Sequence, residues 1–418
     1  MAKHDAIVLG GGIVGISTAI HLVKRGLSVA LVDKRAPGEE TSFGNAGIIQ
    51  REGVHPYMFP RELRAIIDVA LKRRTDADYH LSSLPHVAPF LLRYFLASNP
   101  QTARRTYEAN LPIFARCLTA HEALMEEAGS ADLVARKGWI KIFRNEEGMP
   151  RSETEARELR ELGLDAEMID MKALQELEPH LDTTALKGAM HYRDPWTCSD
   201  PGALVKSYAQ LFEKLGGEIV RAEISGVERS GSGWRLTGSG PALTADQMAV
   251  TLGPWSKRLL DAAGVKLPMG IKRGYHRHFA AEGNSYLTRP LLDEGVGYVM
   301  APMARGIRLT SGAEFARQDA PKTPNQLARI LPKARELFPL GESVDEEAWL
   351  GARPVFPDML PVIGEAPGMA GLWLNFGHGH HGFTLGPATG ELLAQMMTGE
   401  TPYCDPAPYS AQRFTRAQ

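Results

Sequence analysis

Three clusters of residues in this chain carry side chains and spacings suited to ligand or reaction chemistry. The first is Gly10-x-Gly12-x-x-Gly15, between the apolar run Ala6-Ile7-Val8-Leu9 and a helix-spaced stretch over 16–25 that Gly26 ends. A second apolar run over 27–32 closes on Asp33, eighteen residues after Gly15. In that setting the glycines permit a tight turn, close backbone approach to a pyrophosphate and close helix–strand packing, while the acid meets a ribose hydroxyl. The helix start turns unpaired N–H groups and a positive dipole end toward phosphate. The pattern predicts an adenine dinucleotide; a plain strand–helix–strand opening is the alternative. The second cluster is Gly351-Ala352-Arg353-Pro354. A guanidinium offers a carboxylate two parallel hydrogen bonds, although an arginine before proline is also an ordinary surface residue. The third is His378, His380 and His381 in a glycine-rich turn. Their spacing fits no common zinc pattern and no single helical face, so no metal is expected.

The elements that must hold these residues follow an interrupted α/β rhythm. Residues 41–47 are small and polar, suiting a backbone that runs close to a ligand. Residues 61–129 read as helical with breaks at Pro85, Pro89, Pro100 and Pro112. Residues 139–143 alternate as a half-buried strand, and 152–178 form a charged, largely helical excursion. A helix over 203–215, a strand at 218–220, a hairpin over 224–236 and a buried strand over 248–252 follow. Strands are expected at 276–280, 298–301 and 307–310, and a helix at 324–337. Residues 371–397 read as strand, glycine-rich turn, then helix from about Gly386. This order predicts a Rossmann-like α/β domain assembled from 1–55, 196–265 and 346–418. A second, α+β domain with a mixed sheet and a helical excursion comes from 56–195 and 266–345 and takes the substrate. Nicotinamide-dependent dehydrogenases usually keep their nucleotide fold contiguous, so by fold analogy the layout favours FAD over NAD.

Bulk properties narrow the function classes. A chain of 418 residues with 44% hydrophobic content can bury a large core, and a formal charge of −2 argues against nucleic-acid binding. Cys117, Cys198 and Cys404 are scattered, which suggests a reducing compartment without structural disulfides. The N-terminus does not read as a signal peptide, and no run of 18 apolar residues appears. A cytoplasmic location is expected. One stripe leaves a choice: Leu63, Ile66, Ile67, Ala70 and Leu71 share a helical face, with Arg61, Arg64, Lys72, Arg73 and Arg74 at its ends. It either packs on the domain core or, with Phe90-Leu91-Leu92 and Phe95-Leu96, touches the inner membrane surface peripherally.

Taken together, the 10–33 unit, Glu40-Thr41-Ser42-x-x-Asn45-Ala46-Gly47, Gly138-Trp139 and Gly253-Pro254-Trp255-Ser256 resemble one family. Gly351-x-Arg353-Pro354-x-x-Pro357-Asp358-x-x-Pro361-x-Ile363-Gly364 and Gly377-His378-Gly379-x-x-Gly382 complete the pattern. It is similar to the D-amino-acid oxidase superfamily of FAD-dependent amine oxidoreductases, and within it to bacterial D-amino-acid dehydrogenases and hydroxyproline dehydrogenases. The likeness spans nearly the whole chain and is looser over 56–190 and 265–345. It implies FAD lying across both glycine-rich ends. Relatives with covalent flavin use a His soon after the second strand or a C-terminal Cys; Asn45 has no His nearby and 351–399 has no Cys, so noncovalent FAD is expected.

The resemblance also implies residue roles. Gly10, Gly12, Ile13, Val14 and Gly15 would cradle the pyrophosphate, with Asp33 on the ribose, Lys34 and Arg35 flanking the adenine, and Thr41 and Ser42 reaching phosphate. Asn45, Ala46, Gly47 and Ile48 would pass the flavin ring, and Ile224 would meet the adenine through its backbone. Thr251, Leu252, Gly253 and Trp255 would border the cofactor. Gly379, His380, His381, Gly382, Phe383 and Thr384 would line the pyrimidine end. Arg353 corresponds to the carboxylate-binding arginine, Tyr275 to a residue facing the substrate, and His380 or His381 to a hydrogen-bonding partner of flavin or substrate. For Tyr275 a core aromatic with a satisfied hydroxyl is the competing reading, as is a solvent-facing turn for His378.

The implied reaction oxidises the Cα–N bond of a D-amino acid, or of a cyclic secondary amino acid such as a proline derivative, to the imine. Water then releases oxo acid and ammonia from an acyclic imine, and electrons pass to a quinone or an electron-transfer protein. An oxygen-using glycine- or sarcosine-type oxidase is the alternative within the class. A noncatalytic flavoprotein subunit of an electron-transfer complex is the alternative outside it. Oligomeric state has no signature in the sequence.

Overall fold

The computed structural model describes residues 2–414. Strand Ala2–Leu9, helix Ile13–Val23 and strand Val29–Asp33 open the first sheet. The turn between the first two depends on glycine. Gly10 sits at φ +113°, and a Cβ on Gly15 would lie 1.8 Å from the Gly10 carbonyl oxygen. Five parallel strands form the sheet's centre, in the order Glu218–Arg221, Val29–Asp33, Ala2–Leu9, Leu243–Val250 and Leu372–Phe376. The hairpin Ile224–Ser230 and Gly233–Gly238 pairs antiparallel beside the first half of Leu243–Val250, and Val362–Glu365 pairs antiparallel with Leu372–Phe376. Ala6, Ile7, Val8 and Leu9 are all fully buried, as expected for a parallel sheet covered on both faces. Helices Ile13–Val23, Pro201–Lys214 and Gly382–Met397 cover one face, with Pro100–Ala128 packed outside them. Gly390 allows the first and third of these to touch, since a Cβ there would lie 2.8 Å from the Thr18 amide nitrogen.

A second, mixed sheet is centred on the twelve-residue strand Gly270–Ala281. It pairs antiparallel with Trp349–Val355 along one edge and with Gly306–Thr310 along the other. Tyr298–Met303, Leu291–Asp293, Trp139–Phe143, Gly188–Tyr192 and Ala166–Ile169 extend the sheet beyond Gly306–Thr310. Strand alternation puts Lys272, Gly274 and His276 toward the first sheet, and Arg273 and Tyr275 toward helix Asn325–Arg335.

Several elements differ from the sequence reading. The 61–129 stretch divides into helices Leu63–Ala70, Leu84–Ala97 and Pro100–Ala128, with strand Ala77–Tyr79 between the first two. The longest has clear terminal chemistry: Asn99 Oδ1 accepts from the Thr102 amide, Pro100 takes the first turn, and Gly129 ends it at φ +63°. The 152–178 excursion is helix Met149–Glu161, strand Ala166–Ile169 and helix Met171–Leu177. The last helix starts at Gly382, with Pro387 inside it, rather than near Gly386. Trp349–Val355, within the 346–418 segment, is a strand of the second sheet. Helix Leu63–Ala70 buries none of its residues, so its stripe does not pack into the core.

Candidate active site

A cavity of about 1020 Å³ separates the two sheets and runs from the first glycine turn to strand Gly270–Ala281. At one end lie Gly10, Gly12, Ile13 and Val14. The Gly11 amide donates to Asp33 Oδ2 at 2.7 Å and the Arg35 amide to Oδ1 at 3.0 Å, which fixes the carboxylate beside the turn. Ser42 Oγ accepts from the Ile13 amide at 3.0 Å, placing the hydroxyl at the helix start. Gly12 has open space around it, and an added Cβ would meet only Ser42 Oγ, at 3.3 Å. Gly15 does not border the cavity; its contact is with Gly10 and Thr251, as close helix–strand packing requires. Lys34 lies over the Trp255 ring at 5.0 Å, and Thr41, Ile224, Thr251, Leu252 and Gly253 complete this wall. Arg35 turns away to pair with Glu40 at 2.9 Å and lies outside the lining.

The loop after Ser42 brings Asn45, Ala46 and Ile48 to the cavity. Gly47 stays behind them at φ +77°, its amide donating to Asn45 Oδ1 at 2.8 Å, and a Cβ there would lie 2.1 Å from the Cys198 carbonyl oxygen. A residue without a sequence signal pins this loop. Buried Arg308 donates to the carbonyl oxygens of Phe43, at 2.9 Å, and Asn45, and through Nε to His278 Nε2 at 3.0 Å. His278 Nδ1 in turn meets Asp345 at 2.7 Å. Trp349, also missed, presses its ring against Gly44, where a Cβ would come within 1.8 Å, and stacks on His276 at 4.8 Å. Burial and the Arg308 charge push His276 down to about 2, so it stands neutral in the wall.

At the opposite end Gly379, His380, Gly382 and Phe383 border the cavity. His381 does not: its ring packs on Phe114 at 5.0 Å and behind the lining residue Tyr57 at 5.8 Å. Thr384 also lies outside, its hydroxyl donating to the Ile48 carbonyl and accepting from the Gln50 amide, both at 3.2 Å. His378, rather than facing solvent, is buried against Thr389 Oγ1 at 3.0 Å, and burial pulls it down to about 3. His380 is held neutral by burial and by the Arg353 and Lys272 charges.

Arg353 reaches this end from strand Trp349–Val355, with its guanidinium over Gly274. A Cβ on Gly274 would lie 2.5 Å from Nη1, so the glycine makes room for the fork. Nη1 is buried without a hydrogen-bond partner among the described residues, and desolvation lowers the group to about 10. An unpaired buried guanidinium facing a cavity is a preformed site for a planar anion. Tyr275 does not share that task. It borders the cavity, but its hydroxyl donates to Glu314 at 3.0 Å and accepts from Arg273 at 2.8 Å and the Thr323 amide at 2.9 Å. Those bonds draw the phenol to the far face of its strand. Lys272, two residues before Gly274, does border the cavity; a lone lysine in a mostly buried strand is the signal that marks it.

The residues suit a dinucleotide. Two helices, Ile13–Val23 and Gly382–Met397, begin at the cavity without an acid in their first turns, so their positive dipole ends face it unopposed and favour anionic or carbonyl oxygen. Gly12 leaves the space that a pyrophosphate takes, and Asp33 stands ready at the strand end. Among the described residues no group of three or more His, Cys, Asp or Glu side chains could hold a metal ion.

The D-amino acid dehydrogenase of Dechloromonas aromatica is 31% identical, with 95% of this chain and 97% of that one aligned. A protein named D-amino-acid oxidase from Bradyrhizobium diazoefficiens is 28% identical over 99% of both chains. Among solved structures, glycine oxidase from Geobacillus kaustophilus superposes with a TM-score of 0.76 over 99% of both chains, at 24% identity. The family profile "DAO: FAD dependent oxidoreductase" matches residues 5–396, and the chain belongs to that family of FAD-dependent oxidoreductases.

Proposed function

We propose that this enzyme is a dehydrogenase that oxidises the Cα–N bond of a D-amino acid, or of a cyclic secondary amino acid, to the imine. An acyclic imine is then hydrolysed to oxo acid and ammonia. The observation that carries the reading is Arg353, whose guanidinium faces the cavity without an anion of its own. The cofactor-cradling residues lie along the same cavity. When bound, FAD supplies the acceptor for the hydride that leaves Cα. The chain's own residues bind, orient and dry. Arg353 takes the α-carboxylate through its two parallel donors. The Arg353 charge, joined by that of Lys272 when protonated, disfavours a protonated amine beside it and promotes its neutral form. His380, kept neutral, adds hydrogen bonding without further positive charge. The domain division at 55, 195, 265 and 345 belongs to the same reading, with strand Trp349–Val355 carrying Arg353 from the C-terminal segment into the substrate side.

FAD is held noncovalently in this reading, because 351–399 has no Cys and no His lies near Asn45. Acid precipitation tests it: the flavin should stay in the supernatant, and colour retained in the pellet would overturn it. The reaction itself is tested by an anaerobic panel of amino acids, both enantiomers, read by loss of flavin absorbance. Failure of every amine to bleach the flavin would favour a noncatalytic flavoprotein. Peroxide yield under air, against turnover with an artificial quinone, separates the dehydrogenase from an oxygen-using oxidase.

Electron delivery to a quinone gives sense to one surface. Leu63 is 71% exposed and Leu92 60%, with Ile67, Leu71 and Leu96 also open to solvent. Arg61, Arg64, Arg73 and Arg93 stand exposed in the same region, and Ile66 and Val69 of the same helix border the cavity. Exposed leucines and arginines on the same two helices and their ends suit an anionic lipid surface. No helix among the described residues is long and apolar enough to cross a membrane, so the contact would be peripheral. Flotation with phosphatidylglycerol vesicles should carry the protein at low salt, and Leu63→Glu with Leu92→Glu should abolish it. Equal recovery with and without vesicles would remove the surface from the mechanism.

A further inference from the structure

Lys272 and Arg353 stand directly opposite each other on the paired strands Gly270–Ala281 and Trp349–Val355. Like charges in that position repel and weaken a sheet unless something else stabilises them. Neither has an acidic partner among the described residues: Arg353 Nη1 is unpartnered, and Lys272 Nζ has a single donation, to Tyr94 Oη at 3.0 Å. Of the acids that border the cavity, Asp33 serves the glycine turn, Glu40 pairs with Arg35, Asp76 with Arg74 and Glu39 with Lys206, while Glu223 adjoins Ile224 on the opposite wall. None of them pairs with Lys272 or Arg353, so the cavity presents two basic side chains at its substrate end without an acid to meet them.

The two cations also point apart. The guanidinium lies over Gly274, while the ammonium lies over the Tyr94 ring at 4.4 Å and within 5.8 Å of Phe315. Positions 272 and 274 are separated by about 7 Å along a strand. One carboxylate clasped by Arg353 in bidentate fashion would thus leave Lys272 unanswered. Tyr94 donates its own proton to the Tyr57 carbonyl, so it can only accept from Lys272, and the remaining ammonium protons are left for a ligand.

We propose that Lys272 forms a second anion subsite and that the substrate is a dicarboxylic amino acid, its α-carboxylate on Arg353 and its side-chain carboxylate on Lys272. The inference rests on the amino-acid reading above and names its substrate class. Burial pulls Lys272 down to about 7, with Arg353 acting in the same direction; a bound carboxylate reverses that penalty.

The test uses the FAD-loaded protein. Anaerobic flavin reduction is measured with both enantiomers of aspartate and glutamate, against asparagine and glutamine. Binding of glutarate, against butyrate, is measured by calorimetry. A charged hydrogen-bonded contact predicts a preference of about 10- to 100-fold for acid over amide in kcat/KM, and for glutarate over butyrate in Kd. Lys272→Met should collapse the acid-to-amide ratio toward one, and Lys272→Arg should keep part of it. Equal rates for acids and amides in the unaltered enzyme would overturn the proposal. So would an unchanged ratio in a folded, flavin-loaded Lys272→Met protein, which would place Lys272 on a group shared by all substrates. If neutral amino acids reduce the flavin and acids do no better, only the subsite fails. If no amino acid reduces it, the oxidation reading fails, and the glutarate preference still decides the subsite.

Discussion

In the function proposed above, Arg353 works against the stability of the empty fold. Its Nη1 is desolvated without a partner, and a substrate carboxylate would relieve it. Arg353→Met should therefore raise the Tm of the substrate-free protein while leaving FAD content intact. It should also raise KM for carboxylated substrates by about 100-fold or more, since breaking a buried charge pair costs about 3–5 kcal/mol. A fall in Tm with an unchanged KM would make Arg353 a structural residue. Glu52 presents the opposite charge in a similar position. It accepts from Trp139 Nε1 at 2.6 Å, its second oxygen is unpartnered, and burial raises it to about 7. Its stabilising contribution is full below about 4.5 and is lost as pH rises through about 7. Glu52→Gln keeps the acceptor for Trp139 and removes the titration. The variant should gain up to about 3 kcal/mol over the parent at pH 8.5 and little at pH 4.5, measured by denaturant unfolding. A constant difference across that range would rule out the titration as its cause. The residues the sequence brings forward, Gly12, Asp33 and Arg353, are those with a motif around them. Lys272 and Arg308 are not among them, because their meaning lies in what the fold leaves unpaired or brings near, and for Tyr275 the sequence leaves two readings open because its hydroxyl partners come from residues 314 and 323.

Among the elements, the first strand–turn–helix shows two glycines of one motif serving different ends. Gly15 is a packing glycine, with a Cβ position only 1.8 Å from a backbone oxygen, whereas Gly12 is open except for Ser42 Oγ at 3.3 Å. Gly12→Val should thus fold with near-native circular dichroism and retain no FAD, while Gly15→Ala should lose soluble folded protein altogether. Full flavin occupancy in Gly12→Val would undo the assignment of the turn to the pyrophosphate. The same distinction explains which elements the sequence revealed. A strand, a glycine turn and an apolar helix in succession announce themselves, and so does the hairpin around Gly231, at φ +61°. The start of the last helix does not. Its N-cap His381 makes no side-chain cap, and Pro387 lies inside it, so the usual start signal points four residues too late. The stripe on Leu63–Ala70 has the periodicity of a core helix, yet the fold leaves it uncovered. Periodicity tells which face is apolar and not what meets it.

At the scale of the whole molecule, the chain visits the first sheet three times, and its buried and half-buried histidines are distributed over everything that results. His21 and His121 lie in the helical layer, His276 and His378 border the cavity, and His381 packs behind it on Phe114. Burial is the leading cause that lowers each of them: His21, His121 and His381 to about 4, His378 to about 3 and His276 to about 2. A lowered folded value means that the unfolded chain binds the proton first. Stability is therefore complete above about 6.5 and falls as pH drops through 6.5 toward 4, where the first three begin to charge in the folded protein. Glu52 works in the other sense over part of the same range, but with one proton against those of several histidines, His191, His278 and His380 being lowered by burial as well. The expected result is a Tm that declines steeply between pH 6.5 and 4.5, accompanied by net proton uptake on unfolding of several protons per molecule near pH 5. His121 gives the sharpest single test. Its Nε2 meets the Phe383 carbonyl at 2.9 Å, tying the long helix to the start of the last one, so His121→Gln should flatten the acid side of the Tm curve by about one proton's slope. A curve that keeps its full slope in that variant would mean that His121 is already charged in the folded state.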